Sequence, residues 1–89
     1  MNYEVIFDEE AINFLSKLDE YLKNRIYNKI ISTKENPFRF FERLVGRPDY
    51  KLRVGDYRVI ADINKSNNKI EVTFIGHRKD VYTKLGRND

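Results

Sequence analysis

Tyr50 to Ile60 reads as two short alternating runs on either side of Gly55-Asp56, and no other stretch of the chain restricts its fold as much. A Gly-Asp pair suits the left-handed backbone of a two-residue hairpin loop. With those residues as the loop, Val54 pairs with Tyr57, Arg53 with Arg58 and Leu52 with Val59. Side chains alternate along a strand, so Leu52, Val54, Tyr57, Val59, Ala61 and Ile63 share an apolar face, and Lys51, Arg53 and Arg58 share the other. Like charges directly opposite in an antiparallel pair are destabilising, by up to about 1 kcal/mol. Selection for folding alone would place Thr or Glu opposite Arg53. The repulsion makes sense if an anion sits between the two arginines, and guanidinium groups point to phosphate.

Composition excludes several chemistries. With no cysteine among its 89 residues, the chain has no disulfide, no Cys-rich zinc site and no thiol nucleophile. A single histidine, with no carboxylates at ligand spacing, speaks against a transition metal, and no cofactor motif is present. There is no leader-like start and no apolar run near the ~20 residues that span a bilayer, so the expectation is a soluble cytoplasmic protein without a membrane partner. The length predicts one domain over 1–89, burying only about 60–65% of its unfolded surface. Charge is uneven. Residues 1–36 hold five Lys/Arg against seven Asp/Glu, whereas residues 37–89 hold twelve against seven. The basic excess lies on the strand-rich part, where a polyanion would bind.

Asn2 to Phe7 is a predicted first strand with Tyr3, Val5 and Phe7 on one face. Asp8 is a helix N-cap signal, followed by Glu9 and Glu10 where the helix dipole favours them. Ile12, Leu15, Leu18, Leu22, Ile26 and Ile30 recur at helical spacing. That period fits one helix over 9–34; Asp19-Glu20, a second cap signal, favours a helical hairpin. Asn36-Pro37 ends it. Residues 37–48 form a basic connection whose Phe38, Phe40 and Phe41 pin it to the core. After the central hairpin and a polar turn, Asn64 to Asn68, comes a strand with Ile70, Val72 and Phe74 on one face and Glu71, Thr73 and Ile75 on the other. Lys79 to Leu85 makes a short terminal helix. The predicted order is β-α-α-β-β-β plus that helix: an α+β domain in which an antiparallel sheet carries an N-terminal helical hairpin on one face. The Lys51/Arg53/Arg58 face is then an open basic concavity.

The chain resembles the RelE/ParE toxin superfamily, and its RelE branch in particular. The resemblance rests on Lys17-Leu18 in the helical pair, Arg43-Leu44-Val45-Gly46, Pro48-Asp49-Tyr50-Lys51-Leu52-Arg53-Val54, Gly55-Asp56-Tyr57-Arg58-Val59, and Ile75-Gly76-His77-Arg78-Lys79-Asp80-Val81-Tyr82. It implies a RelE-like fold and a type II toxin, a ribosome-dependent endoribonuclease that cleaves mRNA in the ribosomal A site. The implied partners are a RelB-like antitoxin protein, the ribosome with its rRNA, and mRNA. The implied catalytic positions are Lys51, Arg58, Arg78 and Tyr82. Arg53 stands where the best-known members carry lysine, and so does His77. Arg53, His77, Arg43 and Arg47 are the candidate RNA-binding residues. ParE-like members share the fold but poison DNA gyrase without cutting RNA, and a degenerate toxin retains only antitoxin binding; both stay open as alternatives.

RNA cleavage by attack of the 2′-oxygen on the adjacent phosphorus needs a proton acceptor, cations for the growing phosphate charge and help for the leaving 5′-oxygen. One histidine cannot be both acid and base. Lys51 beside Arg53 and Arg58 is the candidate base, because neighbouring positive charge lowers a lysine's pKa. Arg58 is the phosphate clamp, Arg78 serves the leaving side, and Tyr82 stacks on a base or orients the 2′-hydroxyl. So weakly activated a set depends on the ribosome to position the message.

Overall fold

In the computed structural model, which describes residues 2–85, the chain runs β1 (Glu4–Phe7), α1 (Glu9–Ser16), α2 (Glu20–Ser32), a 3-10 turn (Pro37–Arg39), β2 (Glu42–Arg43), β3 (Tyr50–Val54), β4 (Tyr57–Asn64), β5 (Lys69–His77) and α3 (Arg78–Leu85). The α+β class and the helical hairpin are as expected. The hairpin breaks at Lys17-Leu18, and the Asp19 carboxylate accepts the Leu22 backbone N–H at 2.9 Å, starting α2. Asp8 occupies the corresponding position of α1 without a side-chain bond to the helix. Because the two helices are separate, their apolar faces need not stay in phase. In α1, Ala11 and Leu15 are buried while Ile12 stands 51% exposed, against the expected stripe.

The five strands lie in the order β1-β5-β4-β3-β2. Four of them pair antiparallel, but β1 joins parallel to β5, Val5 beside Ile70 and Phe7 beside Val72. The sheet is therefore mixed, a correction to the all-antiparallel expectation. Chain connectivity explains it: the two helices carry the chain across the sheet, so the first strand ends beside the last, which no local pattern reveals. The connection after Pro37 also contains β2, whose Glu42 lies opposite Lys51 and Arg43 opposite Tyr50.

The central hairpin has the expected register, with Val54–Tyr57, Arg53–Arg58 and Leu52–Val59 as pairs. Gly55 has φ of 60° while Asp56 keeps a negative φ, the pattern of a type II′ turn. Its apolar face packs under α1 and α2: Leu52, Val59, Ala61, Ile70, Ile26 and Ile30 are all at most 2% exposed. In β5 strict alternation fails. Ile60 pairs with Phe74 and Ala61 with Val72, leaving Thr73 as the extra residue of a β-bulge, its hydroxyl 3.3 Å from the Ile60 carbonyl. Beyond the bulge the faces exchange. Ile75 joins the main core, and Phe74, expected there, turns to the opposite side.

That opposite side is not open. Val81, Tyr82 and Leu85 of α3 form a second apolar cluster with Leu44, Ile60 and Phe74. The expected basic concavity is thus a roofed face, because the terminal helix has apolar residues at helical spacing and needs a surface on which to bury them.

Candidate functional site

Beside this second cluster lie two cations. Lys51 is 6% exposed and Arg58 is 5% exposed. Arg58 folds back on its own hairpin, donating through Nη1 to the carbonyls of Gly55 at 2.7 Å and Tyr57 at 2.9 Å. Its buried Nε has no hydrogen-bond partner, and among the described residues no carboxylate pairs with this guanidinium. A buried arginine normally has an acceptor for each face of its fork. This one is held in place by its backbone bonds with part of its donor set unused.

Opposite Arg58 on β5 is Gly76. A Cβ there would stand 3.0 Å from the Phe74 ring and 3.5 Å from Val81, so the glycine lets α3 sit close to the sheet. The helix starts at the hairpin turn: the Arg78 backbone N–H donates to the Asp56 carbonyl at 2.8 Å. Arg78 is thereby brought to the same turn as the Arg58 guanidinium. Tyr82, one turn further along α3, lies half-buried in the cluster and close enough to Lys51 to act on its charge.

The Lys51 ammonium is held below its ordinary value of 10.5, first by burial. Tyr82 and Glu42 oppose that shift, whereas Arg53 and Arg58 reinforce it. The direction matches the sequence expectation but the leading cause does not: desolvation outweighs cationic crowding. Glu42 has no signal of its own in the sequence, because a two-residue strand is too short to show a period.

The four catalytic candidates therefore surround one hairpin turn and the roof above it. The binding candidates scatter. Arg53 is exposed and directly opposite Arg58. His77 stands on the other face, edge-on to Tyr57 at 5.6 Å, with Nδ1 accepting the Lys79 backbone N–H at 3.3 Å, so it caps the start of α3. Arg43 lies over the Tyr50 ring at 5.9 Å. Arg47 makes a two-pronged bond to the buried Asp49, both contacts 2.9 Å, and this raises its pKa further. It fastens the loop before β3.

Residues 5–82 match the family described as the ParE toxin of the type II toxin-antitoxin system, and the chain belongs to that family. It is 28% identical to the mRNA interferase toxin RelE of Escherichia coli K12, over 93% of each chain. Among solved structures it resembles a mutant E. coli toxin RelE in the free state, with TM-score 0.75, 29% identity and 93% of each chain covered. It also resembles the archaeal RelE-RelB complex from Pyrococcus horikoshii, with TM-score 0.75, 25% identity and coverage of 88% of this chain and 97% of the other. The protein is a RelE-like toxin of the RelE/ParE superfamily.

Proposed function

We propose that this toxin is a ribosome-dependent endoribonuclease that cuts mRNA in the A site and is held inactive by a RelB-like antitoxin. The observation that carries this reading is Arg58: a nearly buried guanidinium, anchored by backbone carbonyls, with no carboxylate partner among the described residues and a lysine of lowered pKa beside it. Lys51, as the neutral amine, takes the proton of the 2′-hydroxyl. The 2′-oxygen bonds to phosphorus and the P–O5′ bond breaks, the departing 5′-oxygen taking a proton from water, giving a 2′,3′-cyclic phosphate and a 5′-hydroxyl. Arg58 stabilises the added negative charge, Arg78 the departing oxygen, and Tyr82 orients the nucleotide. Because Lys51 and Arg58 are covered, substrate entry requires α3 to yield. The small cluster of Val81, Tyr82 and Leu85 on Ile60 makes that shift cheaper than opening the main core.

Primer extension on programmed ribosomes tests the reading. Cleavage within the A-site codon by the wild-type chain, lost in Arg58→Ala, is the expected result. A second reading, gyrase poisoning, draws on the ParE name of the matching family. Intact mRNA together with gyrase-dependent DNA breaks would replace the first reading with the second.

A further inference from the structure

β2 is two residues long, lies at the edge of the sheet, and its pairing is confined to Tyr50 and Lys51. It is fastened from both sides of the sheet. Phe41, 5% exposed, enters the main core just before it, and Leu44, 7% exposed, enters the α3 cluster just after it. The loop that follows is closed by the Leu44 backbone N–H, which donates to the Asp49 carbonyl at 3.1 Å. So short a strand adds little cohesion of its own, but it fixes where its two side chains stand. Arg43 lies over the Tyr50 ring on one face. Glu42 stands opposite Lys51 on the other, where directly opposed residues have Cβ atoms about 4.5–5.5 Å apart.

Glu42 is exposed whereas the Lys51 amine beside it is buried. Burial disfavours the charged form of that amine most, and Arg53 on its own strand and Arg58 on β4 add to the effect; Tyr82 on α3 and the Glu42 carboxylate favour it. An opposite-charge pair across two strands is commonly a sheet fastener, and that role is indifferent to which lysine is chosen. Here the carboxylate faces the amine that acts as base. A base that takes up a proton beside two guanidinium groups adds a third positive charge to theirs, which raises the barrier. A fixed carboxylate offsets that charge, as the aspartate of a serine-protease triad does for its histidine. We propose that Glu42 is a positioning residue of the active centre, its carboxylate held by β2 opposite Lys51 to stabilise the ammonium formed when the 2′-hydroxyl proton is taken up. This rests on the ribonuclease reading and deepens it. Glu42 forms no bond and exchanges no proton in the step. Its removal leaves Lys51 a weaker base that is more often neutral. Below the midpoint of the rate profile the larger neutral fraction wins, and above it the weaker base loses, so the wild-type and variant profiles cross.

Two measurements on the full chain test this, with wild type compared to Glu42→Gln, Glu42→Asp and Glu20→Gln, the last removing the same charge from α2. One follows the Lys51 side-chain resonance of the isolated toxin against pH. The other follows single-turnover cleavage on programmed ribosomes, at saturating toxin, against pH. Folding of each variant is checked by its melting temperature. In Glu42→Gln the Lys51 titration midpoint should fall, with cleavage roughly twofold faster below the wild-type midpoint and roughly twofold slower on the plateau, the size expected of a partly solvated charge pair. Glu42→Asp should restore the wild-type order at both ends of the profile, and Glu20→Gln should match wild type throughout. A Lys51 midpoint unmoved by Glu42→Gln, with wild-type cleavage intact, overturns the role of Glu42 and leaves the ribonuclease standing. A midpoint that moves while cleavage falls by one factor at every pH makes Glu42 a sheet fastener and overturns it as well. A wild-type chain that cleaves no mRNA overturns both readings.

Discussion

Ile26, Ile30, Val59, Ala61, Ile70 and Val72 show no exposed surface and meet other apolar side chains on the helical side of the sheet. On the α3 side, Ile60 and Val81 are as well buried, but their neighbours include an arginine and a lysine. The first side gains stability from every group it hides, at about 25 cal/mol per Å² of apolar surface. The second hides charges that would be better solvated. One sheet therefore has a face that holds the fold together and a face that gives up some stability to keep cations in place.

The contrast breaks most sharply at Arg58. Arg58→Met keeps the volume and removes the charge, and should lower cleavage on programmed ribosomes by about 10²–10³-fold. The melting temperature should hold or rise, since an incompletely paired buried cation is lost. A variant that unfolds while a similar apolar change at Ile60 does not would make Arg58 structural. Next in size, Ile30→Ala should cost about 2–5 kcal/mol in global stability by denaturant unfolding. Val81→Ala should act locally, raising hydrogen exchange in α3 more than in α2. Equal exchange in both helices would mean that the two faces open as one unit.

Lys51 sharpens the comparison through pH. Its folded-state pKa lies below the ordinary 10.5, so cleavage should rise with pH up to that lowered value and level off above it. Between the lowered value and 10.5 the unfolded chain holds more protons on this group than the folded one. Its share of stability therefore increases as pH rises through that window. Lys51→Met should abolish the pH-dependent rise in rate, and the stability gap between it and wild type should narrow as pH approaches 10.5. The smallest expected effect is at Lys84, which joins α3 to α1 through Glu10 at 3.4 Å and lies 4.7 Å from the Phe74 ring centre. Lys84→Ala should change stability by less than about 1 kcal/mol, because both charges are well solvated.

What could be read from the residues alone was local. The Gly55-Asp56 turn set the register of its two strands, and Asp19 marked the second helix through a bond within its own first turn. What could not be read depended on distant partners. The parallel docking of β1 on β5 joins residues more than sixty positions apart. The Thr73 bulge carries no glycine to announce it. Lys51 and Arg58 are buried, and a lysine looks the same in a sequence whether it is buried or bare. Tyr82 and Arg78 were identified by family resemblance; the structure adds only that α3 starts from the hairpin turn and lies across the cationic face.

The surplus residue at Thr73 reaches further than its own pair of strands. It inverts the inside–outside parity of everything after it, and Gly76, His77 and the launch point of α3 all lie downstream. Pairing Thr73 in register with Ile60, instead of bulging it out, would send Phe74 into the helical layer and put the bulk of Ile75 opposite Arg58, where Gly76 now leaves room. The roof over the cations would then have nowhere to settle. An irregularity one residue long thus decides which side of the sheet receives the terminal helix.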